Sequence, residues 1–359
     1  MFRFQQVMRA RKKITPPSGP GNLEGSQVPH NAGRGKRSGA ASGLRLFGTR
    51  KYGLRKRLAL AFDQMMFEWR DRRLAQTFAA LPLEEIERIP KINGEMPRCQ
   101  VTEPLVFVAC DTVYFANYAP PLLRSMNRYS PGAEVHFHIF NPTLREVFEP
   151  IKRLRQECGT LRISLSWENV DFSASTEEYA RVYYSSMRFV RLYQIFVEAN
   201  RDILLLDVDS LVRARLETFW TRMRDADVTF RSRFSHPDPK RRMLAGVMGL
   251  RNSNATMAYL RSVAWRTALH LLKATHPPQW YLDQRLLMLE FNRRHAIPNE
   301  LKYEPLSATY IDWHYRDSSA IWVGKGNRKQ SSQKYQSLMR RLSATAPSQP
   351  EHRSSKKLP

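Results

Sequence analysis

Two aspartates separated by a single residue stand where a strand is predicted to end. Asp207 and Asp209 follow the apolar run 203–206, whose composition is typical of a buried central strand. Ligands of open α/β sheets bind at the carboxyl ends of the strands. Two carboxylates in a chain leaving such a strand can bind a hard divalent cation, which prefers oxygen ligands and bridges to a diphosphate. The spacing favours a metal and diphosphate site, although two surface aspartates at this spacing are also common.

Strands and helices alternate along the central part of the chain. Short apolar runs bounded by Gly, Pro, Asn or Asp predict buried strands, and longer segments with helical spacing predict helices. The predicted strands cover 105–110, 135–140, 161–167 and 203–206, with weaker ones at 228–231 and 247–250. The predicted helices cover 118–129, 144–156, 183–198, 254–272 and 282–291. This alternation indicates βαβ units and a doubly wound α/β sheet.

The positive charge of the chain is concentrated at its two ends. The formal net charge is +25, and residues 1–57 carry 14 Lys and Arg against one acid, while residues 324–359 carry 9 against one. A nucleic-acid-binding domain would carry its basic excess on the folded part, so nucleic acid is not the expected partner. Basic tails either solvate a chain or hold it against an anionic membrane surface, and both remain open here.

Composition divides the chain into four segments. Residues 1–57 and 329–359 are predicted to be disordered basic tails, because their composition buries too little apolar surface to offset ordering entropy. Residues 58–100 are predicted to be a helical linker or accessory segment, with an indistinct period. Residues 101–328 are predicted to form the α/β domain.

Cysteine usage and hydropathy set the expected compartment. The three cysteines, Cys99, Cys110 and Cys158, lack CxxC spacing, so neither a disulfide framework nor a zinc site is predicted. No run of about 18 apolar residues occurs, and the N-terminus lacks the apolar core and cleavage site of a secretory signal. We therefore expect a soluble or peripheral protein in the cytoplasm, in the second case on the inner face of the membrane.

Two long segments of the chain resemble the family 8 glycosyltransferases, which include glycogenin and the bacterial lipopolysaccharide galactosyltransferases. They are 183–193 (YYSSMRFVRLY) and 202–212 (DILLLDVDSLV), and three shorter segments add to them: 109–115 (ACDTVYF), 245–248 (AGVM) and 281–284 (YLDQ). The resemblance covers about 106–292. It implies a GT-A fold, with a Rossmann-like mixed sheet flanked by helices. It also implies a nucleotide-diphosphate sugar donor, Mn²⁺ or Mg²⁺, and transfer with retention to a glycan, lipid or protein acceptor.

The resemblance also implies roles for individual residues. Metal ligands would be Asp207 and Asp209. Residues at the reacting centre would be Asp283, Gln284 and Arg191, with Asp283 stabilising charge on the sugar or positioning the acceptor, and Arg191 steadying the acidic pair or the donor. Donor-binding residues would be Asp111, Tyr114, Arg188, Ala245, Gly246, Gly324, Lys325 and Gly326. Among these, Asp111 would meet the base or ribose, and Tyr114 would stack on or flank the base. The Ala245-Gly246 pair would let the backbone approach the donor sugar, and residues 324–326 would cradle the diphosphate with backbone N–H groups and the lysine ammonium.

The chain departs from the family pattern at two places. Leu244 stands where the family usually has an Asn, which affects the expected sugar contacts. The family's C-terminal His, its third metal ligand, is missing from 321–329, so the third protein ligand is not identified. His314 or His276 could replace it, although a lone histidine is more often structural or exposed.

Three alternative functions remain open at this point. An inverting GT-A transferase would share the donor site and add a carboxylate base near the acceptor. A metal-dependent nucleotidyltransferase or phosphatase could use the same acidic pair but normally needs further acidic ligands. A basic nucleic-acid-binding protein with a degenerate transferase fold would account for the charge but not for the aspartates after an apolar strand. The oligomeric state is left open.

Overall fold

The structure is a computed structural model that describes residues 53–86, 89–97 and 103–344. The two predicted tails over residues 1–52 and 345–359 lie outside these ranges, as does Cys99. Cys110 and Cys158 are free and buried. Among the described helices, none combines the length and apolar character needed to cross a membrane.

An eight-stranded mixed sheet organises the described chain. Its spatial order is β1-β4-β3-β2-β5-β8-β7-β9. The middle strands β4, β3, β2 and β5 run parallel, β8 pairs antiparallel with β5, and β7 pairs antiparallel with β8. The strands are β1 (Asn93–Gly94), β2 (Leu105–Asp111), β3 (Glu134–Phe140), β4 (Arg162–Glu168), β5 (Ile203–Leu206), β7 (Val228–Ser232), β8 (Met243–Leu250) and β9 (Tyr303–Pro305).

A second, three-stranded sheet stands beside the first. It consists of β6 (Ser210–Val212), β11 (Ile321–Val323) and β10 (Ile311–Asp312), with β11 in the middle. Because β6 begins immediately after the acidic pair, and β11 ends just before Gly324, this small sheet brings the C-terminal part of the chain back to the end of β5.

Helices cover both faces of the large sheet. Alternate side chains of β2 and β5 point to opposite faces: Val106 and Leu204 pack in one core, and Phe107 and Leu205 in the other. The helices are α1 (Leu54–Thr77), α2 (Thr112–Tyr129), α3 (Glu149–Glu157), α4 (Glu177–Ala199), α5 (Glu217–Met223), α6 (Asn254–Leu272), α7 (Leu282–His295), α8 (Arg328–Ser331) and α9 (Gln333–Ser343). The predicted α/β architecture is confirmed, with α2, α3 and α5 on one face and α4, α6 and α7 on the other.

Two helices begin earlier than predicted, and capping residues and prolines account for the difference. α2 begins at Thr112, because the Asp111 carboxylate accepts a hydrogen bond from the Tyr114 amide, whereas the sequence pattern predicted a start at 118. The interior prolines Pro120 and Pro121 lie inside the helix rather than ending it. α4 begins six residues earlier than predicted, where the Thr176 hydroxyl accepts from the Tyr179 amide.

Both predicted tails extend too far into the folded part of the chain. α1 already starts at Leu54, within the predicted tail 1–57. At the other end, α9 and all but the first residue of α8 lie within the predicted tail 329–359. Apolar side chains at 335, 338, 339 and 342 form one face of α9, and Tyr335 is fully buried. The high Lys and Arg content of this segment obscured that face.

α1 has an indistinct period because it has two apolar faces. Phe67 on its inner face is buried and packs in a core with residues of α6. Leu58, Phe62 and Trp69 on its outer face are exposed. Apolar residues on opposite sides of a helix leave no single apolar face, so the sequence shows no clear helical period.

Candidate functional site

The acidic pair lies in a tight turn between the two sheets. The chain leaves β5 at Leu206, and the Asp207 amide donates to the Gly246 carbonyl on neighbouring β8 at 2.7 Å. The Ser210 amide then donates to the Asp207 carbonyl at 3.0 Å, which closes the turn and starts β6. The acidic pair therefore begins just past the carboxyl end of β5, where the sequence predicted it.

Arg188 connects Asp207 to α7. Its Nη1 donates to Asp207 Oδ1, and its Nη2 lies 3.2 Å from Asp283 Oδ2. The same Nη2 reaches the Ala245 carbonyl at 3.4 Å. The Arg188 side chain is largely buried, so one guanidinium holds two carboxylates and a backbone carbonyl at fixed positions.

Asp209 is held by the C-terminal segment. Its carboxylate Oδ2 lies 2.9 Å from Lys329 Nζ at the start of α8. Its carbonyl accepts from the Tyr335 hydroxyl at 2.7 Å and from the Gly324 amide at 3.0 Å. The Lys329 ammonium also donates to the Tyr114 hydroxyl at 3.3 Å. Asp209, unlike Asp207, is buried.

A cavity of about 130 Å³ opens at the carboxyl end of β5. Sequence analysis singled out seven of its lining residues: Arg188, Asp207, Ala245, Gly246, Gln284, Gly324 and Lys325. The remaining lining residues are Arg231, Leu244, Val247, Ile311, Trp313 and Val323. Residues that lie far apart in the chain therefore converge on one small cavity.

Both glycines of the cavity permit the acidic pair to sit where it does. A Cβ added to Gly246 would overlap Asp207 Oδ2, and one added to Gly324 would lie 2.8 Å from Asp209 Cγ. The close approach that the sequence assigned to a donor sugar is made here by the aspartates themselves. Gly326 has a φ of +48°, and a Cβ there would meet open space.

Cationic side chains surround Trp313 on one wall of the cavity. Arg231, Arg233 and Lys325 place their charged groups 4.0, 4.5 and 5.1 Å from the ring centroid. Arg231 is also 3.9 Å from Asp312. Three positive charges thus lie around the buried Trp313 indole beside the cavity. This arrangement favours an anionic ligand.

Burial and neighbouring charges shift the pKa values of the site residues. Burial, reinforced by Asp207 and opposed by Lys329, raises the pKa of Asp209 to about 6, so this carboxylate is still charged at pH 7. Burial also raises the pKa of Asp283, against the effect of Arg188. Burial and the nearby Arg233 lower the pKa of Lys325 to about 8. Burial opposes the charge of Lys329, but Asp209 outweighs it and raises its pKa.

The two predicted nucleotide contacts lie at the start of α2 and do not line the cavity. Asp111 caps α2, its Oδ1 accepting from the Tyr114 amide at 2.7 Å. Tyr114 is 42% exposed, but its ring already contacts the Lys329 ammonium and the Tyr118 ring, and its hydroxyl accepts from Lys329.

Arg191 does not join the site to which the sequence assigned it. It is fully buried and forms an ion pair with Glu168 of β4, while it also donates to the Pro90 carbonyl at 2.8 Å. Residues three apart on a helix differ by about 60° in direction, and that rotation is enough to send Arg188 into the cavity and Arg191 into the core. Tyr183 and His138 contact the same Glu168.

Gln284 serves mainly to position a loop. Oriented so that its nitrogen meets acceptors, its amide donates to the carbonyls of Lys240 and Met243 at 2.7 Å each. This contact ties the N-terminal turn of α7 to the start of β8. Asp283, its neighbour, faces Arg188 instead.

The acidic pair does not fit a divalent cation as it stands. Each carboxylate already holds a cationic side chain, Arg188 or Lys329. Within the described ranges, no three His, Cys, Asp or Glu side chains group closely enough to hold a metal. His314 contacts Arg328, and His276 lines a different groove beside α1, so neither takes the place of the missing family histidine.

Three site residues, Lys329, Tyr335 and Trp313, were not predicted from the sequence. Lys329 and Tyr335 were assigned to a disordered tail, although the apolar spacing of α9 was a usable signal. Trp313 lies in an irregular segment before β11, and nothing local to it indicated a site.

The chain matches no family model and no curated protein, but it is similar to several solved structures. One is the bifunctional glycosyltransferase WbbM, with 14% identity and a TM-score of 0.46 over 70% of this chain. Another is the glycosyltransferase GlyE of Streptococcus pneumoniae TIGR4, with 14% identity and a TM-score of 0.46 over 68%. A third is the galactosyltransferase LgtC bound to donor and acceptor sugar analogues, with 16% identity and a TM-score of 0.43 over 68%. The chain spans 51% of the WbbM structure, 61% of GlyE and 98% of LgtC.

Proposed function

We propose that this protein transfers a sugar from a nucleotide-diphosphate donor to an acceptor. One observation carries the proposal: three carboxylates and three cations from separate parts of the chain converge at the carboxyl end of β5. They are Asp207, Asp209, Asp283, Arg188, Lys325 and Lys329. The motif resemblance to family 8 glycosyltransferases supports the same function.

The cations suit the charge that develops in such a reaction. When the bond between C1 of the sugar and the diphosphate oxygen breaks, the leaving nucleoside diphosphate gains negative charge. Preorganised cations in a partly buried site lower this barrier, because they need no rearrangement as the charge appears. Lys325 lines the cavity, and with a pKa of about 8 it is mainly protonated at pH 7.

Asp283 would act on the sugar side of the broken bond. Its carboxylate lies beside Arg188 at the N-terminal turn of α7, and this contact would hold it in place. We assign it the stabilisation of positive charge on the sugar, or the positioning of the acceptor. In the retaining mechanism that the resemblance implies, the acceptor enters on the face that the leaving group vacates, and no protein nucleophile is required.

The proposal extends to the nucleoside and acceptor, the type of sugar and the cellular location. Tyr114 and Asp111 would bind the nucleoside at the start of α2. The acceptor would be a glycan, lipid or protein. Hexosyl transfer follows from the motif resemblance. The basic tails would place the enzyme on an anionic membrane surface on its cytoplasmic side.

Hydrolysis of UDP- and GDP-linked sugars tests the activity, with a CMP-linked sugar, which carries a monophosphate, for comparison. We expect slow hydrolysis of one donor, which Asp207→Asn and Asp209→Asn should each reduce by roughly 100-fold. Asp225→Asn, at an exposed aspartate outside the site, is the control, and melting temperatures separate lost chemistry from lost folding. Unchanged turnover in both site variants would refute the assignment.

Two competing functions predict different results. A nucleic-acid-binding protein would shift labelled DNA or RNA at physiological salt and hydrolyse none of the donors. An inverting transferase would hydrolyse a donor but release the opposite anomer, which NMR of the released sugar detects.

A further inference from the structure

Lys329 places its ammonium directly beside the Asp209 carboxylate. Its Nζ lies 2.9 Å from Asp209 Oδ2, and its side chain is 10% exposed. The rings of Tyr114 and Tyr118 flank the ammonium at 4.6 and 4.7 Å from their centroids. A carboxylate and two aromatic faces therefore hold the charge in one place.

An ammonium held in this way can bridge as a metal does. It carries three N–H donors, and contacts within the described residues account for two of them, to Asp209 and to the Tyr114 hydroxyl. The third can reach a phosphate oxygen. The Arg188 guanidinium forms a similar ion pair with the Asp207 carboxylate, and it carries five N–H donors in a fixed fork.

We propose that Lys329 and Arg188 supply the positive charge for the donor diphosphate, and that nucleotide binding needs no divalent metal. The proposal rests on the proposed function, because it names the counter-ion of the same site. It follows from two observations on this chain: both aspartates already hold cationic side chains, and no further His, Cys, Asp or Glu within the described residues completes a metal-binding group.

Calorimetric titration of the full chain with UDP, GDP and inorganic pyrophosphate tests this assignment. Pyrophosphate carries the diphosphate without a base, so it does not depend on which nucleotide is the natural one. Each titration is run in excess EDTA and in Mn²⁺, on the wild type, Lys329→Gln and Lys329→Arg. The matched control is Lys334→Gln, an exposed lysine paired with Asp317.

We expect the wild-type affinity to differ less than about threefold between EDTA and Mn²⁺, and Lys329→Gln to lose at least about tenfold in EDTA. Mn²⁺ should restore part of that loss, because the variant frees the Asp209 carboxylate. Lys329→Arg should keep most of the affinity, and Lys334→Gln all of it. Wild-type binding that requires Mn²⁺ would overturn this inference alone. No binding under any condition would overturn the proposed function with it.

A different observation concerns the outer face of α1. Five large apolar side chains on this face are between 48% and 73% exposed: Leu54, Leu58, Phe62, Met65 and Trp69. At 100° per residue they fall within an arc of about 80°. We call them the α1 stripe. It extends over four turns of the helix, beside a groove of about 690 Å³ between α1 and the segment that precedes α7.

Basic side chains outnumber acidic ones beside the stripe. Arg55, Arg72 and Arg73 are exposed along or beside it, and Arg73 packs its guanidinium 4.9 Å from the Trp69 ring. Asp63 pairs with Lys240 and Arg285, and Asp71 is buried against Arg266 and His270, so both acids face inward. The third acid of α1, Glu68, is half-buried at one edge of the stripe and accepts from the Gln64 amide. The outer face is therefore apolar with mainly basic edges.

We propose that the α1 stripe binds the surface of an anionic lipid bilayer. An amphipathic helix with Trp, Phe and Leu on one face and basic residues at its edges lies in the headgroup region of a membrane. A second copy of the chain is a poorer fit, because a two-fold interface would bring the same rows of arginines together. Asp63 joins α1 to Arg285, two residues from Asp283, so the bound helix would lie on the α7 side of the site.

Vesicle sedimentation of the full chain tests the α1 stripe. The vesicles contain phosphatidylcholine with or without 30% phosphatidylglycerol. The variant carries Phe62→Ser, Met65→Ser and Trp69→Ser, and the control carries Val197→Ser and Ile297→Ser, which are exposed apolar residues outside α1. Binding is measured at 0.15 and 0.5 M salt, because salt screens the contribution of the basic tails.

We expect the triple variant to lose at least fivefold in binding at 0.5 M salt, with its melting temperature unchanged, and the control to bind as the wild type does. Equal binding by the triple variant and the wild type would refute the proposal. A change of oligomeric state in the triple variant, measured by sedimentation velocity without vesicles, would assign the stripe to a second copy instead.

Discussion

Gly246 leaves the space that Asp207 occupies. A Cβ at position 246 would overlap the Asp207 carboxylate. The Asp207 amide donates to the Gly246 carbonyl, which fixes the aspartate against β8. We expect Gly246→Ala to displace Asp207 from Arg188 and to lower donor hydrolysis at least tenfold, since a small misplacement of a site group costs about that much or more. Hydrolysis rate and melting temperature are measured together.

Gly159→Ala is the matched control for this change. A Cβ at position 159 would lie 3.6 Å from the Gln156 carbonyl oxygen, an ordinary contact far from the site. If Gly246→Ala hydrolyses the donor at the wild-type rate, Asp207 does not need its present position.

α9 completes the site from a distance in the chain. Tyr335 is fully buried, its hydroxyl donates to the Asp209 carbonyl, and Arg124 of α2 donates to the Leu342 and Ser343 carbonyls at the end of the helix. A chain ending at residue 329 should lose on the order of 5 kcal/mol of unfolding free energy, from the lost burial of Tyr335 and its apolar neighbours.

The shortened chain should also bind pyrophosphate more weakly, because Lys329 would no longer be held by the helix that follows it. A chain ending at Ala344 is the control and should match the full protein in both measurements. Equal stability of the two truncated chains would contradict a structural role for α9.

The Glu168–Arg191 pair joins β4 to α4 inside the core. Both side chains are fully buried, so removing one charge leaves the other without compensation. We expect Glu168→Gln to lower the free energy of unfolding by about 3–5 kcal/mol, as breaking buried pairs does. Denaturant titration measures this loss.

Glu177→Gln offers a direct comparison, because Glu177 pairs with Arg181 on the exposed surface of the same helix. Exposed pairs contribute roughly 0–1 kcal/mol. Equal losses in the two variants would show that burial of Glu168 and Arg191 has no particular energetic weight.

His136 should contribute a pH dependence to the stability of the whole molecule in the acidic range. Burial, with contributions from neighbouring His138 and Arg201, lowers the pKa of His136 to about 3. Both of its ring nitrogens contact serine hydroxyls, on Ser164 and Ser166, at 2.8 Å. Between about pH 3 and pH 6.5 the unfolded chain therefore binds a proton that the folded chain does not, and this contribution to stability falls as the pH falls.

The expected slope from His136 alone is about 1.4 kcal/mol per pH unit in this range. The lowered pKa of Glu168 acts in the same direction but only at lower pH, whereas the raised pKa of Asp209, about 6, acts in the opposite direction below about pH 6. Urea titrations from pH 4 to pH 7.5 measure the slope, and His136→Gln should reduce it. A slope equal to that of the wild type would mean that His136 is protonated in the folded protein.

Much of the local structure was determined by the sequence alone. The runs that became β2, β3, β5 and α6 were identified at or near their true bounds, because apolar period and turn residues act over a few positions. The strand-to-turn position of Asp207 followed in the same way. Arg188 and Gly246 were placed at the site by motif resemblance, and both line the cavity.

Tertiary structure decided which of these side chains meet. Lys329 and Tyr335 contact Asp209 across 120 and 126 residues of chain, and no local pattern encodes such a contact. Arg188 and Arg191 have the same chemistry three positions apart on one helix, yet one faces the cavity and the other pairs with Glu168 in the core. The sequence specifies the faces of each element through short-range periodicity, whereas the partner of a charged side chain depends on which elements pack against that face, and that is settled only when the whole chain has folded.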